Sequence, residues 1–536
     1  MLSGMQPAFA QVPEAAAAST SKDSDKSSAT VINKPPVRTL DIFEYLVEGN
    51  SVLDDAAIGD AVEPFLGPGK AADDVDKARA ALEDVYHARG YKTVSVAIPR
   101  QTVRNGVVHL QVIEGHIGHL EVVGSQYHSI DQIKAEAPSL AEGAVPDFNQ
   151  VQKDIVTLNQ QADRKVTPAL KAGATPDTVD IDLVVDDHLP LHGSGEINNR
   201  KSQDTSELRT EGSLSYDNLW PLGHSVSVSY QTAPENQNDA RVIYGSYLAR
   251  FGSSPFNLLV NGIDTNSNVS TVGGTDVIGK GQVAGIRGIW TLPGNDAVYR
   301  SLTAGVDYKH FKNLTALGGQ GFETPVTYFP FTVAYDVVQR FPASALQANF
   351  TFTFANPKIG STTDTLKLSR ATGARGQQFS YRGSFSWTQD LPHGTQSLLR
   401  FSGQYTDQVL ITNEQFSAGG WDTVRGYLEA EALGDLGFDG TIEIRSPALA
   451  DSLRPGKGRL FEDFRVIAFV DGADLTVHEP ANDQQSQFGL ASFGAGASFK
   501  VFSFLSGAID WADPILSGPA TRAWSSRALF RVWTSF

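Results

Sequence analysis

Residues 378–388, QFSYRGSFSWT, alternate without a break. Phe379, Tyr381, Gly383, Phe385 and Trp387 fall on one side of an extended chain, and Ser380, Arg382, Ser384, Ser386 and Thr388 fall on the other. Side chains leave a strand on alternate faces, so a period of two over this length reads as a strand with one aromatic and one polar face. A soluble sandwich would bury the aromatic face against a second sheet. A membrane barrel turns it toward lipid and keeps the polar face in a wet lumen.

The pattern fills the chain from His188 onward, in segments separated by Gly, Pro, Asn and Asp, and two features favour the barrel. The polar faces repeatedly carry charge, as with Arg527 and Arg531, and the chain ends on a strand with Phe530, Val532 and Phe536 on one face. Roughly sixteen such segments lie between 190 and 536, near the number that leaves an aqueous channel. Backbone groups in lipid must all be paired, so a strand-built membrane protein has to close on itself.

Composition narrows the function classes. A chain of 536 residues is too long for one ordinary domain. Cysteine is absent, which excludes disulfide scaffolds and thiolate metal sites. The net charge of −17, without a basic run, argues against a nucleic-acid partner. No apolar run reaches the length of a membrane helix. The GxSxG, HExxH, Walker A and EF-hand patterns are missing, so neither an enzyme nor a cofactor site is expected. His188, His192 and the other histidines show no metal-ligand spacing and read as surface or lumen residues.

Ahead of the strands the period changes. Residues 1–10, ending in Ala8-Phe9-Ala10, read as the remnant of a signal peptide, and 11–37 as a linker or short plug helix. From 38 to 115 the order is β-α-α-β-β. Residues 42–47 form a strand; Ile58, Ala61, Val62 and Phe65, then Val75, Ala78, Leu82, Val85 and Tyr86, fall at helical spacing. Gly90 is placed to end the second helix. Val94, Val96 and Ile98, then Val108, Leu110 and Val112, alternate on either side of an Asn105-Gly106 turn. Residues 116–187 repeat the order, with helices expected near 130–137 and over 148–163. A strand through Val179, Ile181, Leu183 and Val185 closes the module.

One stretch needs more than a strand. Residues 416–427, FSAGGWDTVRGY, form a glycine-rich loop with a single arginine, followed by GDLGFDGTIEIR at 434–445. In the latter, Phe438, Ile442 and Ile444 take one face and Asp439, Glu443 and Arg445 the other. Further on, AFVDGA at 468–473 puts Phe469 and Asp471 on one face of a strand whose Val466, Ala468 and Val470 make an apolar one. A carboxylate in such a strand has to face the lumen, because facing lipid costs several kcal/mol.

These stretches resemble the outer-membrane transporters of two-partner secretion, the TpsB family of haemolysin activators and filamentous haemagglutinin transporters, within the Omp85 superfamily. GNSVL (49–53), ARGY (88–91) and VAIPRQTVRNGVVHLQVIEG (96–115) resemble a first POTRA domain. LNQQADRKVTPALKAGATPDTVDIDLVVDD (158–187) resembles the end of a second. The family usually has proline where Ala162 stands and often glycine at Asp177. GGWDTVRGY (419–427) resembles the VRGY/F motif of the long sixth loop, here near 411–436, and AFVDGA resembles the FxDxG motif of strand thirteen.

The resemblance implies α+β periplasmic modules, 38–115 and 116–187, ahead of a transmembrane antiparallel barrel over 188–536. It implies that Val424, Arg425, Gly426 and Tyr427 form the loop tip. Phe469, Asp471 and Gly472 would be its luminal partner, and Glu443 a candidate second luminal anion. It further implies an outer-membrane translocator for an unfolded TpsA-like exoprotein. Its surroundings would be outer-membrane lipid and, during biogenesis, the barrel-assembly machinery. The alternative within the superfamily is a barrel-assembly factor that inserts other outer-membrane proteins.

Overall fold

The computed structural model describes residues 39–536, except positions 160, 162, 253, 268, 273–274, 296, 318–319, 362–377, 451–460 and 481–483. The signal-peptide remnant (1–10), the linker or plug (11–37) and Ala162 lie outside the described residues. The chain divides into two compact units, one N-terminal and one comprising essentially 188–536.

In the N-terminal unit the first module runs β1 (Leu40–Ile42), β2 (Glu44–Glu48), α1 (Asp55–Val62), β3 (Gly67–Lys70), α2 (Ala72–Ala88), β4 (Val94–Ala97) and β5 (Val107–Glu114). Its three-stranded sheet has the order β2-β5-β4, parallel then antiparallel. Helix α1 starts where the Asp54 carboxylate accepts the Ala57 N–H at 2.7 Å. After α2 the chain turns at Gly90, with φ +106. Apolar faces of helices and sheet meet in a core that includes Ile42, Leu82, Tyr86 and Leu110.

The structure corrects the single strand expected over 42–47. It breaks at Phe43, which is 67% exposed, and the free piece β1 pairs with β3, a strand the helical spacing did not foretell. The cause is the Asn105-Gly106 turn, whose two residues have φ +55 and +74. Its Gly106 carbonyl accepts the Phe43 N–H at 2.8 Å and draws the chain aside.

The second module consists of β6 (His116–Val123), α3 (Ile130–Ala135), α4 (Phe148–Leu158), β7 (Arg164–Ala172) and β8 (Thr178–Asp187). Its sheet has the order β6-β8-β7, so β7 is an edge strand. Pro168 suits that edge, because proline cannot donate to a second ladder. Helix α4 ends at Leu158, short of the expected 163. There the Asn159 side chain accepts the Val166 N–H at 2.6 Å and donates to the Val166 carbonyl at 3.0 Å, trading helix for a turn into β7. Asp177 takes the left-handed φ of +63, the conformation that explains a glycine preference there.

In the second unit, sixteen strands of the described residues close into an antiparallel barrel. The sixteenth (Arg527–Ser535) pairs with the first (Leu191–Asn198). No helix among the described residues is long and apolar enough to cross a membrane. Their parity follows the sequence pattern. Phe438, Ile442, Ile444, Val466 and Val470 stand exposed on the outside, while Asp439, Glu443, Phe469 and Asp471 are buried. The seventh to ninth strands (Val298–Leu317, Gln320–Phe341, Ser344–Gly360) have 20, 22 and 17 residues. A membrane crossing takes about 9–11, so these strands extend beyond the bilayer.

Candidate functional site

Between the eleventh strand (Gln396–Tyr405) and the twelfth (Leu436–Arg445) runs a loop of residues 406–435, five residues longer at its start than the sequence suggested. Its arms pair as a small hairpin, Phe416–Ala418 against Ala432–Gly434. At its base the buried Asp435 carboxylate accepts the Leu410 N–H at 2.9 Å and the His478 N–H at 2.7 Å. On the ascending arm, buried Glu414 binds the Lys309 ammonium and the Tyr328 hydroxyl, each at 2.6 Å. Arg382 donates to the Glu414 carbonyl at 2.9 Å.

The tip carries the arginine. Arg425 is 3% exposed. Its Nε and Nη2 donate to the two oxygens of Asp471 at 2.8 and 3.0 Å, the bidentate geometry that a planar guanidinium favours. Its own backbone N–H adds a third bond to Asp471 at 3.1 Å. Nη1 donates to Glu443 at 2.9 Å and to Asp510 at 3.2 Å. The guanidinium carbon lies 3.4 Å from the centroid of the Phe469 ring. These partners stand on the inward faces of the twelfth, thirteenth (Phe461–Thr476) and fifteenth (Leu505–Pro514) strands. A permanently charged group is thereby held out of water by three carboxylates and an aromatic face.

The rest of the motif supports that placement. Val424 is fully buried among Ala418, Tyr427, Ala432 and Leu475. Gly426 has φ +95, and a Cβ there would meet Ala512 and Pro514 at 3.3 Å, so only glycine fits without strain. The Tyr427 hydroxyl reaches the carbonyls of Leu516 at 2.7 Å and Ala491 at 3.0 Å. Of the residues singled out in the sequence, Gly472 alone stays outside the cluster. It faces away, and a Cβ there would make only an ordinary contact, 3.7 Å from the Leu490 carbonyl.

Several functional residues escaped the sequence reading. Asp510 had a usable signal, because Ile509 and Trp511 are apolar neighbours that put it on the luminal face. Arg200, beyond the first strand, bridges Asp422 at 2.6 Å and Glu429 at 3.1 Å. Burial alone would depress its pKa, but Glu429 and then Asp422 hold it above the ordinary arginine value. No local pattern announces a contact across more than two hundred residues.

Residues 177–499 match the model of the haemolysin secretion/activation protein family ShlB/FhaC/HecB, and residues 40–115 match the ShlB-type POTRA domain. The chain belongs to this family. It is an outer-membrane β-barrel protein with an N-terminal ShlB-type POTRA domain, which is periplasmic in this family. Among curated relatives, it is 22% identical over 66% of its length to the outer membrane transporter CdiB of Dickeya dadantii (strain 3937), spanning 62% of that protein. It is 23% identical over 85% of its length to CdiB of Escherichia coli, spanning 76% of it. Among solved structures, CdiB from Escherichia coli superposes with a TM-score of 0.66 at 21% identity, over 95% of this chain and 93% of that one. BamA from Haemophilus ducreyi lacking POTRA domains 1–3 gives 0.56 at 14%, over 93% and 100%. These likenesses establish the shared barrel fold.

Proposed function

We propose that this chain secretes an unfolded exoprotein of TpsA type across the outer membrane, without a chemical step of its own. The two modules capture the exoprotein in the periplasm by adding its extended segments to a sheet edge, with β7 the leading candidate edge. Leu170, half exposed on that strand, offers an apolar side-chain contact to an incoming segment. The barrel then passes the exoprotein outward. Lipid surrounds the wall, and the barrel-assembly machinery installs it.

The observation that carries this reading is the loop tip buried in the lumen, with Arg425 bound to Asp471, Glu443 and Asp510. Such a loop suits a translocator, because a tip held by a desolvated ion cluster can keep the channel in a working state. The barrel-assembly reading shares the fold, but the match of residues 177–499 to the haemolysin secretion/activation family favours secretion.

The test is a secretion assay in cells carrying this chain and a candidate exoprotein with an N-terminal secretion domain. The exoprotein should reach the medium with the intact chain and remain in the periplasm without residues 39–187. An exoprotein retained in both cases, with a concurrent defect in other outer-membrane barrels on deletion of the chain, would favour the assembly factor.

A further inference from the structure

The barrel seam is where the first and sixteenth strands meet, and its ladder is short. It joins five residue pairs, from Arg531↔Asn198 to Ser535↔Ser194, and Gly193 and Phe536 extend it by exchanging backbone bonds at 3.2 and 3.0 Å. The neighbouring ladders join eight each, from Arg209↔Asn198 to Tyr216↔Leu191 on one side and from Leu505↔Thr534 to Ala512↔Arg527 on the other. Just beyond the ladder, Asn199 continues the join with its side chain. It donates to the Ala528 carbonyl at 2.8 Å and accepts the Phe530 N–H at 2.8 Å.

The descending arm of the long loop lies across this end of the seam. Two glutamates, two positions apart, reach to opposite sides of it. Glu429 binds the segment that follows the first strand. Its carboxylate takes Arg200 Nε at 3.1 Å and Nη2 at 3.2 Å, and its own N–H donates to the Lys201 carbonyl at 3.0 Å. Glu431 binds the segment that precedes the sixteenth strand. Its carboxylate accepts the Ala520 N–H at 3.0 Å, the Thr521 N–H at 2.7 Å and the Thr521 hydroxyl at 2.5 Å. The arm is itself braced, because Glu431 also accepts the Leu428 N–H at 2.8 Å and Glu429 the Trp421 N–H at 3.0 Å.

We propose that residues 428–431 form a clasp over the seam, with Glu429 and Glu431 tying the first strand's extension to the last strand's approach, so that lifting the loop loosens the seam. Arg200 is the positioning residue on one side and Thr521 on the other. The loop thereby does two jobs with separate residues: Arg425 fixes the tip to the wall, and the glutamates behind it hold the wall closed. Charge-assisted bonds on both sides, half-buried at Glu429 and buried at Glu431, reinforce a ladder shorter than its neighbours. A movement that frees the tip and continues into the arm therefore reaches the seam. The inference goes beyond the transport reading, and it stands whatever passes through the barrel.

Amide hydrogen exchange on the full folded chain in lipid nanodiscs tests the clasp. The variant Glu429→Ala/Glu431→Ala should speed exchange at least tenfold in peptides covering 192–200 and 528–536. The seventh and eighth strands, on the far side of the barrel, should stay within twofold of the parent. Arg200→Ala cuts one side without changing a loop residue, and should speed the same peptides at least threefold even where the double variant assembles poorly. Because the chain has no cysteine, Ile197→Cys/Val532→Cys places a disulfide across the seam at a cross-strand pair. Closing it in the double variant should restore slow exchange. Unchanged seam exchange in both Glu429→Ala/Glu431→Ala and Arg200→Ala would overturn the proposal. So would an equal increase around the whole barrel.

Discussion

Replacing Arg425 with alanine should release the loop tip while leaving the barrel wall assembled. The guanidinium and its backbone N–H make five hydrogen bonds to carboxylates: three to Asp471, one to Glu443 and one to Asp510. Truncation removes the four made by the side chain and leaves three buried carboxylates facing one another. Breaking a buried ion pair by removing one partner costs about 3–5 kcal/mol, which shifts the docked-to-released balance by about 10²- to 4 × 10³-fold. The wall is held by its closed backbone ladder, so heat-modifiable migration should persist. Val424, fully buried in the docked tip, supplies the reporter. Val424→Cys in the cysteine-free chain should resist maleimide in the parent and label rapidly with Arg425→Ala.

The same cluster sets the order of effects on secreted exoprotein per assembled barrel. Asp471 takes most of the bonds, so Asp471→Ala should be severe, but milder than Arg425→Ala because Glu443 and Asp510 still hold the arginine. Arg425→Lys keeps the charge and loses the planar fork, and should fall between Arg425→Ala and the parent. Arg425→Ala/Asp471→Ala should be no worse than Arg425→Ala, since removing one carboxylate also relieves the crowding of like charge. A coupling of at least about 1 kcal/mol is expected for residues in direct contact. Losses that simply multiply across the four-member cycle, or a Val424→Cys label that ignores Arg425, would refute the ion-pair lock.

Three further outcomes follow from the geometry. Gly426→Ala forces a left-handed φ on a residue with a Cβ against Ala512 and Pro514; at about 1–2 kcal/mol of strain, it should weaken loop docking measurably by the same labelling readout. Tyr427→Phe removes the hydroxyl that donates to the Leu516 carbonyl at 2.7 Å and accepts the Ala491 N–H at 3.2 Å, so it should cost about 1–3 kcal/mol, read as partial labelling at Val424→Cys. Removal of residues 39–187 should leave a barrel that inserts, migrates heat-modifiably and secretes nothing; normal secretion by it would end the division of labour between modules and barrel.

Local periodicity carried much of the architecture. Alternation in 438–445 and 466–471 put Asp439, Glu443 and Asp471 inside and Phe438, Ile442 and Val470 outside, because a strand's two faces meet different solvents. The helices of the modules were legible for the same reason, at a period of 3.6 residues. Boundaries were lost where side chains compete with the backbone, as at Asn159, or where a distant carbonyl captures the chain, as Gly106 does at Phe43. The pairing of Arg425 with Asp471 came from a motif resemblance, since nothing local connects residues 46 positions apart. Arg200, Glu414 and Glu431 had no such motif, and the partners that tie them to the rest of the barrel lie 86 to 229 positions away. Only the closing of the barrel brings them together.

The most direct test of the account follows a candidate exoprotein through the barrel itself. A photo-crosslinking residue at Asn261, on the luminal side, and another at Val260, on the lipid side, stand next to each other on one strand. During active secretion the account predicts crosslinks from position 261 to the exoprotein and none from position 260, with the position-261 crosslinks lost when residues 39–187 are removed. An exoprotein that appears in the medium without ever crosslinking to position 261 would contradict passage through this lumen.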